Sequence, residues 1–186
     1  MKIAIIIGST RPGNLGTSVG EWVNSQVADR GDAEFTLLSL ADFNLDLLNE
    51  PTIPGAANGK YDNPKTQAWS DEISQYDGYI FVTPEYNHSV PAAMKNSFDV
   101  LGVEWRQKAV AFVGYGANDG VRAVEHWRQI TANFSMLAVR NQVALNTFGD
   151  FTEGNFTPIE RRAGELHTMV DGLVNYAKVS QQLRGA

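Results

Sequence analysis

Three stretches of this chain combine glycine, proline and polar side chains at spacings that suit ligand chemistry. The first is Gly8-Ser9-Thr10-Arg11-Pro12-Gly13-Asn14-Leu15-Gly16-Thr17, which leads from an apolar run into an amphipathic segment. Glycine permits a tight turn there, and the first amides and dipole of a following helix attract an anion. Ser9, Asn14 and Thr17 add side-chain donors, and Arg11 adds a planar cationic fork suited to phosphate. A phosphate monoester is the natural guest; the competing reading is an ordinary loop with a solvated arginine. Two familiar glycine motifs fail. Gly8 and Gly13 have the Walker A spacing, but Asn14-Leu15 stands where Lys and Ser/Thr are needed. Thr10 stands where the dinucleotide fingerprint needs glycine. The loop therefore suits a mononucleotide.

The second stretch is Thr83-Pro84-Glu85-Tyr86-Asn87-His88-Ser89-Val90-Pro91. Its prolines bracket a stiff segment with an aromatic ring and several backbone amides. A flat heteroaromatic ring fits along such a segment, its carbonyls and nitrogens meeting fixed donors. For a flavin, donors placed near N1 and the C2 carbonyl favour reduction. A turn that merely ends a strand, with Tyr86 half-buried, accounts for the residues equally well. The third stretch, Gly114-Tyr115-Gly116-Ala117-Asn118-Asp119-Gly120, lets backbone approach a ring edge closely, while Asp119 reads as a helix N-cap.

Other chemistries are excluded or disfavoured. The chain has no cysteine, so disulfides and thiolate chemistry are absent. His88, His126 and His167 show no paired metal-ligand spacing, so no metal is expected. His126 and His167 read as structural or surface residues, and no G-x-S-x-G elbow is present. A net charge of -6 without a basic run argues against nucleic acid as partner. The N-terminal apolar run Ile3-Ala4-Ile5-Ile6-Ile7 is too short for a secretory signal or a membrane span. No membrane partner is expected, and the expected setting is cytoplasmic.

The elements that must position these loops alternate between two hydrophobic periods. Strands are predicted at Ile3–Ile7, Phe35–Leu40, Gly78–Val82 and Ala109–Val113, with a weaker fifth at Gln142–Leu145. Helices are predicted from Gly16 to about Arg30, Pro64 to Tyr76, Pro91 to near Gly102, and Gly120 to Leu137. Ile159, Ala163, Leu166, Val170, Leu173 and Ala177 mark a closing helix. The first helix carries Val19, Trp22, Val23 and Val27 at helical spacing, and Pro91 is placed in a first turn. Such alternation predicts an α/β fold, a parallel sheet with helices on both faces, in one domain over 1–186. Open sheets of this kind bind ligands at the carboxyl ends of their strands, where strand order reverses. Ala41 to Asn63 reads as a long loop, either functional or a tolerated excursion.

At these residues the sequence resembles the NADPH-dependent FMN reductase family, which includes flavodoxin-like quinone, azo-dye and chromate reductases. The likeness runs from Ile3 through the last helix. Gly8-Ser9-Thr10-Arg11 resembles its phosphate motif. Thr83-Pro84-Glu85-Tyr86-Asn87, continuing through Ser89-Val90-Pro91-Ala92-Ala93-Met94-Lys95-Asn96 and Asp99, resembles its flavin-ring motif. Leu47-Leu48-Asn49-Glu50-Pro51 and Trp69 are further similarities. The resemblance implies a flavodoxin-like three-layer sandwich with strand order 2-1-3-4-5. It implies bound FMN, with NADPH or NADH as donor and a small-molecule acceptor served by ping-pong hydride transfer. Ser9, Arg11, Asn14, Leu15, Gly16 and Thr17 would hold the phosphate. Pro84, Glu85, Tyr86 and Asn87 would line the ring, with Gly114, Tyr115 and Gly116 at its other edge. The protein would supply orientation rather than a catalytic side chain, although His88 lies where a proton donor would sit. A homodimer or homotetramer through Pro91–Leu101 is also implied. The chain departs from the family where Ser is common at Asn14, Asn at Gly16, and a Gly-Gly pair at Asp119-Gly120. A carboxylate at Asp119 facing the site would repel a nicotinamide phosphate. An electron carrier without nicotinamide turnover, or a cofactor-free phosphate binder, are the rival readings.

Overall fold

The computed structural model describes residues 1–185. Five parallel strands form the central sheet: β1 (Lys2–Ile7), β2 (Glu34–Ser39), β3 (Gly78–Pro84), β4 (Ala109–Gly116) and β5 (Leu137–Asn146). Their order is β2-β1-β3-β4-β5, as the resemblance implied. The strand order therefore reverses between β1 and β3. β1, β3 and β4 are almost wholly buried because helices cover both faces.

One face is covered by α1 (Gly16–Val27) and α7 (Arg161–Leu183), which bury Val19, Val23, Leu166, Val170 and Leu173 against Ile3, Ile5, Ile80 and Val113. The other is covered by α4 (Pro64–Ser74), α5 (Ala92–Asp99) and α6 (Val121–Ala132). There Phe81 makes edge contacts with Phe98, Trp105, Phe112 and Trp127. Aromatic pairs of this geometry add directional attraction to the area they bury. The short helices α2 (Leu40–Phe43) and α3 (Pro54–Ala57) and a small hairpin of β6 (Phe151–Thr152) and β7 (Asn155–Phe156) complete the order.

Several element boundaries differ from the sequence expectations. The fifth strand is ten residues long rather than four, because Arg140 and Asn141 are exposed on an edge strand whose register shifts opposite Val110 and Phe112. That irregularity breaks the alternation a sequence reader follows. The sixth helix stops at Ala132, not Leu137. Ser135 turns left-handed with φ +53°, and Leu137 then donates to the Lys108 carbonyl as β5 begins. Pro91 is the N-cap of α5, outside its first turn, and that helix ends at Asp99. Leu40 opens α2 instead of closing β2, so the 41–63 stretch is partly helical. Ile159 lies just before α7 and is exposed.

Candidate functional site

The three stretches follow β1, β3 and β4, so they meet at the carboxyl edge beside the strand reversal. Their joint is specific. Ser9 is 1% exposed, and its hydroxyl shares a 2.7 Å hydrogen bond with the hydroxyl of Tyr86, which is itself 38% exposed. One contact thus connects the phosphate-type loop to the aromatic segment.

Within the first loop, Asn14 holds the turn together. Its amide donates to the Arg11 carbonyl at 2.9 Å and its Oδ1 accepts from the Thr17 amide at 3.1 Å. Leu15 is packed against the core and roots the loop, with α1 starting at Gly16 behind it. Arg11 is exposed and donates to the Pro12 and Gly13 carbonyls at 3.4 and 3.5 Å. Contacts that long leave the guanidinium free to swing toward an anion. Gly16 answers a steric demand: an added Cβ would stand 2.6 Å from the Tyr115 hydroxyl.

The second loop is a closed turn. Tyr86 and Ser89 exchange backbone hydrogen bonds at 3.1 Å, and Asn87 and His88 both have positive φ, 49° and 70°. This primed turn exposes Asn87 and His88, whose amides belong to no helix or strand ladder. Pro84 is buried as the last residue of β3. Glu85 is committed elsewhere. Its amide donates to the Tyr115 carbonyl, and its carboxylate accepts from the Arg122 Nε at 2.6 Å and from the Arg122 amide at 3.0 Å. Burial raises the Glu85 pKa, but the bonds from Arg122 outweigh it and hold the carboxyl below its ordinary range.

In the third loop Gly114 makes room for its own turn, since a Cβ there would lie 3.0 Å from Gly120 O and Val124 Cγ2. Gly116 lies close to Glu85. The Tyr115 side chain turns inward and is 4% exposed. Asp119 is not the N-cap of α6; Gly120 is, with φ +68°. The Asp119 carboxylate instead accepts from the Asn146 amide at 2.6 Å, which directs its charge toward the β5 loop.

Sequence reasoning missed the supports of this site. Arg122 and His126, four apart on α6, both reach the second loop: Arg122 to Glu85, and His126 through a 2.8 Å bond between its Nδ1 and the Ser89 hydroxyl. Trp127 beneath them donates to the Thr83 hydroxyl at 3.1 Å. The spacing of Arg122 and His126 on one helical face, next to the third loop, was the available signal.

Residues 1–150 match the profile of a family described as NADPH-dependent FMN reductase. The chain belongs to that family. An NAD(P)H-dependent FMN reductase of Nectria sp is 40% identical over 126 residues, 66% of this chain and 63% of that protein. The chain thus spans just under two thirds of that relative's length. An NAD(P)H-dependent FMN reductase of Schizosaccharomyces pombe is 31% identical over 144 residues, 77% of this chain and 72% of that protein. Among solved structures, the flavoenzyme NAD(P)H:(acceptor) oxidoreductase FerB of Paracoccus denitrificans shares the fold with a TM-score of 0.73 at 21% identity, covering 96% of this chain and 98% of that one.

The site fits the FMN of this reductase family on its own geometry. A buried hydroxyl without a partner, that of Tyr115, and the first turn of α1 face the anion-type loop. The exposed Asn87-His88 turn offers further backbone donors on the loop that Tyr86 ties to Ser9. No helix among the described residues is long and apolar enough to cross a membrane, and no metal-binding group of His, Asp or Glu occurs among them.

Proposed function

We propose that this chain is an FMN-dependent NAD(P)H oxidoreductase acting on small-molecule acceptors, with FMN lying from the Ser9–Thr17 loop to the Asn87-His88 turn. The observation that carries the reading is the Ser9–Tyr86 hydrogen bond, which joins a phosphate-type loop to an aromatic segment. Ser9, Arg11, Asn14, Leu15, Gly16 and Thr17 form the phosphate end. Pro84, Glu85, Tyr86 and Asn87 form one side of the ring end, with the backbone of Gly114, Tyr115 and Gly116 at its other edge.

Bound FMN would supply the redox chemistry of a ping-pong hydride transfer from NADPH or NADH to a small-molecule acceptor. The protein's part is orientation. Arg11 and the α1 amides neutralise the phosphate, and the rigid 86–89 turn fixes donors where ring charge would gather. Glu85 and Arg122 neutralise each other, so neither leaves an unpaired charge beside the ring. Asp119 is tethered to Asn146, which supports acceptance of a nicotinamide phosphate despite the missing family glycine.

The reading extends to one FMN-binding domain over 1–186, a cytoplasmic setting and a homodimer or homotetramer through Pro91–Leu101. Purified protein should be yellow, bleach anaerobically with NADPH or NADH, and recover colour with a quinone. A colourless preparation that takes up no added FMN would refute the reading, and sedimentation as a monomer would refute the assembly.

A further inference from the structure

We propose that the buried hydroxyl of Tyr115 is a phosphate donor beneath the first loop, not a contact to the ring edge. This rests on the FMN reading above and assigns a new role within that site. Tyr115, next to last in β4, lies on the same face as Ala111 and Val113, so its ring runs into the core under α1. Its hydroxyl arrives at the start of α1, touching the space that a side chain at Gly16 would need.

Three observations converge there. First, this hydroxyl is the one buried side-chain polar atom among the described residues that has no hydrogen-bond partner. Buried polar groups nearly always have one, because an unmade bond leaves the desolvation penalty uncompensated. Second, its surroundings are rich in donors. The Gly16 amide and the Ser9 hydroxyl lie beside it, though neither closes a bond with it, and the positive charge of Arg11 is felt at the same point. Ser9 Oγ is already engaged, accepting from the Arg11 amide at 3.4 Å and sharing a proton with Tyr86. Third, the other groups at Gly16 do not complete the set: Ile7 is apolar, and the Asn14 Oδ1 is already taken by the Thr17 amide. A cluster of amide, hydroxyl, phenol and guanidinium lacks one thing, an oxygen carrying negative charge. Burial drives the phenol pKa upward, so the group stays a neutral donor across the working range.

A phosphate monoester oxygen seated at the Gly16 amide would accept from Tyr115. Tyr115 would thereby distinguish FMN from riboflavin, which has the same ring and no phosphate. The test is Tyr115→Phe in the full chain, which removes one oxygen and keeps the packing. Equilibrium dialysis against FMN and riboflavin should give an FMN Kd about tenfold or more weaker, with the riboflavin Kd unchanged. Without flavin the variant should melt at the same temperature as the parent or higher, since an unpartnered hydroxyl has gone. Unchanged FMN affinity in a parent that binds FMN would overturn the assignment. So would an equal loss for both flavins, which marks a ring contact, or a lower flavin-free melting temperature, which marks a bond to Ser9. If the parent binds neither flavin, the FMN reading itself fails, and that result is distinct from the others.

Discussion

Ser9 and Arg11 divide the labour of the first loop. Ser9 is buried and fixed by Tyr86, whereas Arg11 is exposed and holds only long contacts to its own loop. Removing Arg11 should therefore disturb the fold little, as for other exposed positions. Its loss should still be felt by an anion, because a charge-assisted hydrogen bond disappears. Arg11→Ala is expected to weaken FMN by about 1.5–3 kcal/mol, roughly ten- to a hundred-fold, with melting of the flavin-free protein nearly unchanged. Fluorescence titration of flavin binding measures the first, and equal affinities would show that Arg11 points to solvent. Of the residues read from sequence, Ser9, Arg11, Asn14 and Thr17 sit together at one loop because β1 ends and α1 begins there. Glu85 was legible as part of a motif but not as a side chain turned away from the ligand. Its partner Arg122 is 37 positions distant, and no local pattern announces such a pairing.

The second and third loops keep their shape through α6. Glu85 receives both the backbone amide and the side chain of Arg122, while His126 reaches Ser89 one turn further along. The carboxylate of Glu85 is buried, and Arg122 is about one third exposed. Glu85→Ala should thus cost about 1–3 kcal/mol, less than a fully buried pair, because water can reach the freed guanidinium. Chemical denaturation gives the cost. FMN release should also quicken as the 86–89 turn loosens, and release at the parent's rate would show that α6 does not hold the turn. The same scale explains what was readable in the fold. β1, β3 and β4 were found as continuous apolar runs, since strands covered on both faces have no polar positions to interrupt them. β5 was underestimated because its exposed Arg140-Asn141 step lies on an edge. The end of α6 was missed because Phe134, seven residues after Trp127, keeps a helical spacing although the helix has ended at Ala132. The 151–156 hairpin was invisible because two-residue strands carry no period.

Across the whole molecule, stability should depend on pH at both ends of the range, and the two dependences have different origins. At the acid end stands Asp150, buried in the loop after β5. Burial pushes its pKa up, but Arg162 and the amides of Asn146 and Ile159 outweigh burial and hold it below its ordinary 3.8. A depressed carboxyl contributes stability that is complete above its unfolded pKa and lost as pH falls through the folded one. Asp150→Asn should therefore lose its difference from the parent as pH falls below the ordinary aspartate value and through the lower folded one. At the alkaline end stands Lys108, at the opposite edge of the sheet from the site. Its ammonium donates to the Ile73 and Ser74 carbonyls and to the Tyr79 hydroxyl at 2.8–3.3 Å. Burial, then repulsion from Arg184, outweighs the attraction of Asp77 and Glu104 and pulls its pKa from 10.5 down to about 7. Below that value both folded and unfolded chains carry the proton, and the folded state bears the strain of a buried charge. Between pH 7 and 10.5 the unfolded state binds more protons, so stability must rise with pH. Buried tyrosines act the other way but only later. Tyr76, raised to about 12 by burial and its bond to Glu72, loses stability as pH climbs above 10. The interval from pH 7 to 9.5 is therefore governed by Lys108 among these groups. Lys108→Met is expected to lower stability overall, because the Ser74 carbonyl and the Tyr79 hydroxyl lose a donor while Ile73 keeps its bond from Tyr79, and to flatten the rise with pH. Urea midpoints of parent and variant at pH 6.5, 8 and 9.5 provide the check, and parallel pH profiles would mean that Lys108 keeps its proton throughout.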